Sequence, residues 1–362
     1  MADKESFGIF SPVMGEKRDF PVILIQNVFT EGENCLLKDG KIIRRKMREK
    51  DLLDGDENKV QTPDGNPIIH YHRIVKRATG IEYLLAFTKR HIYHWNPDTK
   101  AFDLKFTCSA DCENWETVNY NDKVIATNFL DMVLVWTTAG DFVALDDTTN
   151  GIEYETGIYL TKAKHLIVYE SYLILGYTYE NGNYYPQRMR WNAIGEEENW
   201  ITGSSGSIEV GKSDIITGFG EYQGLLIVFK KYSYAKYWLV ATSVAGVLQV
   251  FNGSFISTKI GCLCSGSIVN DSKGRLYWYA SDGTFKEISV GTISGPIQTD
   301  IVDKIYKSSV EKIRSDFLDE TGEVVWSIPF NNVLNNKLIA FNEGKWLQVN
   351  LAIPAFGDYH EA

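Results

Sequence analysis

The sequence contains few cysteines. There are five in 362 residues, an odd number. Cys108 and Cys112 lie four residues apart, Cys262 and Cys264 lie two apart, and Cys35 stands alone. So sparse and uneven a set does not fit the disulfide framework of a secreted protein. We therefore expect reduced, buried thiols in a chain that is made in a cytoplasm.

Long apolar runs are also missing. The chain starts with Met-Ala-Asp-Lys-Glu-Ser, and no apolar segment follows a basic start, so no secretory signal is predicted. No stretch approaches the ~18 consecutive apolar residues that a transmembrane helix requires. We expect no membrane anchor.

Basic residues are in deficit. The chain has 37 Lys and Arg against 47 Asp and Glu, which gives a formal net charge of −10 and a pI of about 5.2. An acidic surface repels phosphate, so binding of DNA along a groove without regard to sequence is not expected. The same charge suits a passage through which DNA slides without sticking.

Helical periodicity is almost absent, whereas aromatic residues are frequent at 13% of the chain. Aromatic side chains favour a pleated, half-buried surface, so this composition indicates β structure. Six segments pair an apolar strand with a short turn and a second, aromatic-rich strand. They span residues 84–96, 132–145, 172–192, 224–240, 274–288 and 322–342. Weaker strands are predicted at 123–127 and 214–218, and a short helix at 304–312.

The spacing of these hairpins predicts the fold. Their starts lie roughly 40 to 52 residues apart, which matches the ~40–50 residues of a four-stranded propeller blade. Such a sheet buries both faces only when similar sheets stack around it. We predict an all-β, β-propeller-like fold of about six to seven blades, with paired β-sandwich domains as the alternative. Residues 66–350 would form this domain, 1–65 an N-terminal arm or first strand with an exposed loop, and 351–362 a C-terminal tail.

Three stretches of the chain carry short motifs in a fixed order. The first contains Asn27, Gly32, Leu37, Asp39, Gly40, Arg44 and Arg45. The second contains Arg188, Arg190, Trp191, Asn192, Gly195 and Trp200. The third contains Ile216, Gly218, Gly220, Tyr222, the segment 225–229, Tyr237, Trp238, Ile260, Gly261, Cys262, Ser267, Ile268, the segment 276–279, Asp282 and Gly283.

In this order the stretches resemble the packaged-DNA stabilisation, or tail hub, proteins of short-tailed bacteriophages and related tail or head-closure components. Asn192 and Glu196 stand where that class has Ser and Asp. The resemblance implies a non-enzymatic structural protein of the virion: a tail hub, head–tail connector or nozzle component. It implies a homo-oligomeric ring through which DNA passes, other virion proteins (adaptor, portal or tail components) as partners, and no cofactor.

Three groups of side chains are candidate metal ligands. The histidine group is His70, His72, His91 and His94, the thiol group is Cys108, Cys112, Cys262 and Cys264, and the oxygen group is Asp51, Asp54, Asp56 and Asn58. None has the spacing of a recognised zinc or calcium site. The structural interpretation is favoured for each group, and no metal is predicted.

A carbohydrate-binding or carbohydrate-active propeller is the alternative function. Trp95, Trp115 and Trp200 are candidates to stack on sugar rings from the mouth of a propeller. Residues 281–285 (SDGTF) resemble part of the Asp-box turn of some sugar hydrolases, but Asp-Gly is also a common hairpin turn. No catalytic residue can be singled out. A cytoplasmic scaffold of the WD-repeat kind ranks third, because no repeated Gly-His and Trp-Asp signature is present.

One basic segment is a candidate contact surface. Its members are Lys41, Arg44, Arg45, Lys46 and Arg48. Charge blocks often act as interaction arms, so the segment could contact a neighbouring subunit or DNA phosphate. The competing interpretation is a solvated strand face balanced by the acidic residues that follow.

Overall fold

The computed structural model describes residues 60–211, 213–244, 247–289, 292–293, 301–319, 321–342 and 345–349, and the backbone of two strands nearer the N-terminus. Those two strands, β1 (Cys35–Lys38) and β2 (Lys41–Arg44), form an antiparallel hairpin. All other sheets of the described residues are small and antiparallel, and there are six of them. The chain is therefore an all-β protein.

The six sheets are the blades of one β-propeller, which confirms the predicted fold and sets the number of blades at six. Blade 1 contains β3 (Ile68–Val75), β4 (Glu82–Thr88), β5 (His91–Asn96) and β6 (Ala101–Thr107). Blade 2 contains β7 (Glu116–Tyr120), β8 (Lys123–Thr127), β9 (Leu134–Trp136) and β10 (Val143–Ala144). Blade 3 contains β11 (Ile152–Glu155), β12 (Ile158–Tyr169), β13 (Tyr172–Glu180), β14 (Asn183–Trp191) and β15 (Gly206–Glu209).

The other three blades have four strands each. Blade 4 contains β16 (Ile216–Tyr222), β17 (Leu225–Lys230), β18 (Tyr234–Val244) and β19 (Val247–Ser257). Blade 5 contains β20 (Val269–Asn270), β21 (Leu276–Tyr279), β22 (Phe285–Ser289) and β23 (Thr292–Ile293). Blade 6 contains β24 (Arg314–Leu318), β25 (Glu323–Ile328), β26 (Lys337–Asn342) and β27 (Lys345–Val349). Paired β-sandwich domains, the alternative prediction, are therefore wrong.

Each predicted hairpin is an antiparallel strand pair, one in each blade. The predicted weak strand at 123–127 is β8, and the one at 214–218 overlaps the start of β16. The predicted helix at 304–312 is instead two short 3-10 segments, Val302–Lys304 and Lys307–Lys312. The backbone of Ser309 leaves helical geometry, so no continuous helix forms.

The core consists of apolar seams between successive blades. In β17, Leu226 and Val228 pack in the seam with blade 3, whereas the alternate residues Ile227 and Phe229 pack in the seam with blade 5. Because successive side chains of a strand point to opposite faces, each central strand supplies both of its seams. Continuous apolar runs in the sequence are the result.

Tryptophan side chains fill several seams and also tie them by hydrogen bonds. The indole nitrogen of Trp115 donates to the carbonyl of Thr88 at 3.0 Å, and that of Trp326 donates to the carbonyl of Ser267 at 3.0 Å. Each bond joins a residue of one blade to the blade before it. A buried indole N–H needs such a partner, so these bonds fix the ring orientation as well as its burial.

Asn192 joins blades 2 and 3 through both ends of its amide. Its side-chain oxygen accepts from the backbone N–H of Leu173 at 2.7 Å, and its nitrogen donates to the Tyr120 hydroxyl at 3.0 Å. That hydroxyl donates in turn to the carbonyl of Ser171 at 2.7 Å. The whole amide is inaccessible to solvent.

Replacing Asn192 tests this tie. Asn192→Ala leaves the buried N–H of Leu173 without an acceptor, so we expect it to lower the free energy of unfolding by about 2 kcal/mol. The measurement is urea denaturation followed by circular dichroism. The control is Asn183→Ala, an exposed amide in the β13–β14 turn, for which we expect a change of at most ~0.5 kcal/mol. Equal effects of the two variants would contradict the role given to Asn192.

Candidate functional site

A cavity of about 480 Å³ lies on the propeller axis. We call it the axial cavity. All six blades line it through their innermost strands or the segments that lead into them. One lining residue from each blade in turn is His70, Thr117, Leu166, Phe219, Ser265 and Arg314.

A second space, of about 430 Å³, opens at one end of the axis, and we call it the mouth pocket. Asn114 and Ser265 line both spaces. Between the two, Arg314 donates from Nη2 to Asn114 Oδ1 at 2.7 Å. His165, which lines the mouth pocket, bonds through Nδ1 to Glu116 Oε1 at 2.7 Å on the axial side. These contacts form a polar septum.

Glu116 is the buried carboxylate of this septum. Burial alone would raise the pKa of its carboxyl group, but its contacts with His165 and Ser265 and the N–H of Leu166 hold that pKa below the ordinary value. The other ring nitrogen of His165, Nε2, is buried and has no hydrogen-bond partner among the described residues. The septum therefore combines the ionised Glu116 carboxylate and the Arg314 guanidinium with one imidazole nitrogen that has no partner among the described residues.

A directed hydrogen-bond chain lines the wall of the axial cavity between blades 1 and 2. Asn119 donates from Nδ2 to the carbonyl of Arg73 at 3.0 Å, so its Oδ1 faces His72 Nε2 at 2.7 Å and accepts from it. In the neutral ring, His72 Nδ1 is then an acceptor for the Thr117 hydroxyl at 2.8 Å. That hydroxyl accepts from His70 Nε2 at 2.7 Å. The partners thus fix both histidine tautomers.

Both of these histidines resist protonation. Burial, together with the charges of His72 and Arg314, lowers the pKa of His70 to about 3. Burial also lowers the pKa of His72. The pair is therefore neutral near pH 7 and acts through hydrogen bonds.

The lining of the mouth pocket has more lysines than carboxylates. It contains Lys164, Lys231 and Lys312, against the two carboxylates Glu113 and Glu311. No described carboxylate lies within ion-pair distance of these lysines or of Arg314. In a protein of net charge −10, this concave patch is locally cationic, and such clefts concentrate anions.

The predicted histidine group is not one site. His91 Nδ1 pairs with Asp64 Oδ2 at 2.8 Å, and the His94 ring packs against Tyr83 and Trp136. Within the part of the chain that the structure describes, no three His, Cys, Asp or Glu side chains are grouped as a metal site would need. The oxygen group Asp51, Asp54, Asp56 and Asn58 lies outside the described residues.

The four thiols of the predicted group are free, and the Cys108–Cys112 pair lies in a different seam from Cys262 and Cys264. Cys108 and Cys112 are buried in the seam between blades 1 and 2, Cys262 in the seam between blades 4 and 5, and Cys264 in the seam between blades 5 and 6. Burial raises the pKa of the Cys262 thiol to about 12 and that of Cys264 to about 11. These thiols pack as small apolar groups.

The tryptophans proposed for sugar stacking are in the wrong place. Trp95, Trp115 and Trp200 are each only 2% exposed, so none of them can meet a ligand at the surface. Trp115 and Trp200 fill seams between blades, and Trp95 packs in an apolar cluster of blade 1. The Asp282 turn connects β21 to β22, with Asp282 accepting from Thr284 and pairing with Lys286 at 2.9 Å. It is a structural turn.

The basic segment is described only in part. Lys41 and Arg44 are the first and last residues of β2, opposite Lys38 and Cys35 of β1. Strand β1 lies beside β27 of blade 6. Arg45, Lys46 and Arg48 lie outside the described residues, so their role as a subunit or DNA contact stays a prediction.

The residues that carry the phage-protein resemblance are structural where they are described. Arg188 and Arg190 both bond the fully buried carboxylate of Glu180, and Trp191 donates to the carbonyl of Ser204 at 2.8 Å. At Gly261 a side-chain carbon would lie 2.1 Å from the carbonyl oxygen of Lys230, so no larger residue fits. These residues contribute to the packing of the blades.

Sequence reasoning missed the septum and the mouth pocket. Lys164, Glu116 and Arg314 come from different blades and share no spacing that could be recognised along the chain. It also missed a surface group of aromatic residues beside the mouth pocket. The only local signal for this group was the density of tyrosine around residues 177–185.

Comparisons with known proteins find only distant structural similarity. No protein-family model matches the sequence, and no curated protein matches it. The chain is similar to the extracellular domain of a hybrid two-component system protein of B. thetaiotaomicron (TM-score 0.43, 9% identity, 80% of this chain and 34% of that one). It is also similar to the computationally designed Ika8 protein (0.44, 11%, 81% and 74%).

A third similar structure is the dihydro-heme d1 dehydrogenase NirN (TM-score 0.43, 9% identity, 83% of this chain and 57% of that one). This chain thus spans about a third of the first of these proteins and little more than half of the third. At such identities and TM-scores the similarities carry no argument about activity. None of the helices in the described residues is both long and apolar enough to cross a membrane.

The lowered pKa of His70 makes stability depend on pH. The folded ring stays neutral down to pH about 3, whereas in the unfolded chain it takes up a proton below about 6.5. The unfolded state thus binds more protons between these values, and the free energy of unfolding falls as the pH drops. For this group we expect a loss of up to about 2 kcal/mol between pH 7 and pH 5.

Urea denaturation at pH 7 and pH 5 measures this loss. His70→Gln, which does not titrate, should lose correspondingly less stability than the wild type over the same interval. An equal loss in the two proteins would show that His70 does not remain neutral in the folded state.

Proposed function

We propose that this protein is a non-enzymatic structural protein of a bacteriophage virion, a tail hub, head–tail connector or nozzle component. In this proposal, copies of the chain assemble into a ring with adaptor, portal or tail proteins as neighbours, and DNA passes through the ring without sequence-specific binding. The ordered motifs that resemble tail hub proteins support it. One structural feature, the long hairpin of blade 4, carries it.

This hairpin extends beyond its own blade. Strands β18 and β19 have eleven residues each, whereas the neighbouring β17 has six and pairs with β18 only as far as Tyr237. Beyond that point β18 and β19 pair with each other from Leu239–Phe251 to Val244–Val247. We call residues 240–249, which follow the last core contacts of Leu239 and precede those of Val250 and Phe251, the ribbon. It is a two-stranded extension of a four-stranded sheet.

The ribbon belongs to a stretch without charge. Residues 237–258 include no Asp, Glu, Lys, Arg or His, although 23% of the chain is charged. An isolated two-stranded hairpin is marginally stable in water, and free strand edges pair with other chains. An uncharged ribbon that extends past its blade therefore suits a contact with another subunit, as in obligate assemblies.

The charge of the chain agrees with a DNA passage. With a net charge of −10, a ring of copies would repel phosphate and keep DNA mobile. The basic segment Lys41, Arg44, Arg45, Lys46 and Arg48 would then contact an acidic face of a neighbour or the DNA backbone locally.

The oligomeric state of the purified full-length chain tests the proposal. We expect rings of several copies in light scattering after size exclusion and in negative-stain images. Val244→Asp introduces a charge into the ribbon, so we expect it to yield folded monomers. The matched control is Val143→Asp, on the outer strand of blade 2 and 47% exposed, which should still form rings.

Two results would contradict the proposal. One is a wild-type chain that remains monomeric at micromolar concentration, both alone and with virion neighbours encoded beside it. The other is a ring that Val244→Asp leaves intact, which would show that the ribbon is not the contact.

A further inference from the structure

We propose that the mouth pocket and the aromatic residues beside it form a binding site for an anionic saccharide, a sugar that carries carboxylate or phosphate groups. This inference is independent of ring formation. It combines two observations, an exposed aromatic surface and a cationic pocket, which meet at Lys164.

The aromatic surface lies between blades 2 and 3. We call Phe129, Tyr177, Tyr179 and Tyr184 the aromatic cluster. The ring centroids of Phe129 and Tyr177 are 5.0 Å apart, and those of Tyr179 and Tyr184 are 4.7 Å apart. Tyr184 is 60% exposed, so the cluster presents ring surface to solvent. Exposed tyrosine rings suit stacking on the apolar face of a sugar.

The backbone at two of these residues is strained. Phe129 and Tyr177 have φ angles of +62° and +53°, in the left-handed region that bulky residues rarely adopt. Tyr177 sits where the register of β13 and β14 shifts, and Phe129 follows the end of β8. Strain of this kind is retained mainly at functional sites. Here, two strained positions on different blades bring their rings into contact.

Lys164 connects the cluster to the mouth pocket. Its Nζ lies 5.8 Å from the centroid of the Tyr177 ring, and the same side chain lines the pocket. Lys231 and Lys312 line the pocket further round, and none of the three lysines has a carboxylate partner. A sugar stacked on the cluster would therefore hold its acidic groups among these lysines.

The buried polar groups of the pocket fit the same ligand. His165 has a free, buried Nε2, and Ser265 and Asn114 supply further polar atoms. Glu113 and Glu311 also line the pocket and would repel an anion that approached them closely. Acidic groups are thus accepted on the Lys164 side, and hydroxyl groups suit the remainder of the pocket.

Calorimetry with defined saccharides tests the inference. The probes are a trigalacturonate, its neutral methyl ester, glucose 6-phosphate, glucose and inorganic phosphate, each titrated into the full-length protein at constant ionic strength. We expect saturable binding of the trigalacturonate or of glucose 6-phosphate, which separates a carboxylate source from a phosphate source. We expect the matching neutral sugar to bind at least roughly tenfold more weakly than the charged one.

Variants locate the site. Tyr184→Ala and Lys164→Gln should each weaken binding of the anionic sugar by roughly tenfold, since they remove stacking and charge respectively. The controls are Tyr306→Ala, an exposed tyrosine before blade 6, and Lys100→Gln, an exposed lysine in the β5–β6 turn, and neither should change affinity.

Three results would overturn the inference. They are no saturable binding of any anionic sugar, equal affinity of the charged sugar for wild type and Tyr184→Ala, and inorganic phosphate binding as tightly as glucose 6-phosphate. None of these depends on the oligomeric state, so a failure here is distinguishable from a failure of the proposed ring.

Discussion

The packing of each blade against its two neighbours is the constraint on which the rest of the structure depends. A four-stranded sheet with apolar side chains on both faces is unstable in isolation, and six such sheets arranged about one axis bury all of those faces. The five apolar clusters between successive blades, each built from strands of two sheets, show this arrangement directly. Position and function of every other group follow from these seams.

Hydrogen-bonded polar side chains in and beside the seams help to set how the blades are aligned. Asn192 ties two blades through one amide, and Glu180 is held by Arg188 and Arg190 in a buried network. Half-satisfied groups of this kind would be costly, so their geometry admits little variation.

The sequence predicted the architecture well because its signals are local. A hairpin such as 274–288 contains both of its strands and its Asp-Gly turn within fifteen residues, so alternation and turn chemistry suffice. The site could not be predicted in this way. Lys164, Arg314 and Asn114 come together only when three blades close around the axis. Their spacing along the chain therefore does not predict that they are neighbours.

The sequence pattern also did not predict which aromatic side chains are buried. A tryptophan beside a turn, such as Trp95, has the same local surroundings whether its ring enters a seam or a ligand pocket. In this chain the tryptophans named from the sequence are interior, whereas Tyr184, between blades 2 and 3, is exposed. Ring type alone does not separate the two cases.

The septum across the axis has a consequence for any role in guiding DNA. Within one subunit the propeller axis is crossed by the septum contacts, Arg314 with Asn114 and His165 with Glu116, which lie between the axial cavity and the mouth pocket. DNA cannot pass along the axis of a single propeller. A DNA channel in the assembly would therefore have to lie between subunits. Its width would depend on the number of subunits, and its wall would be formed by the outer surfaces of the propellers. The six blades within each subunit would contribute only rigidity.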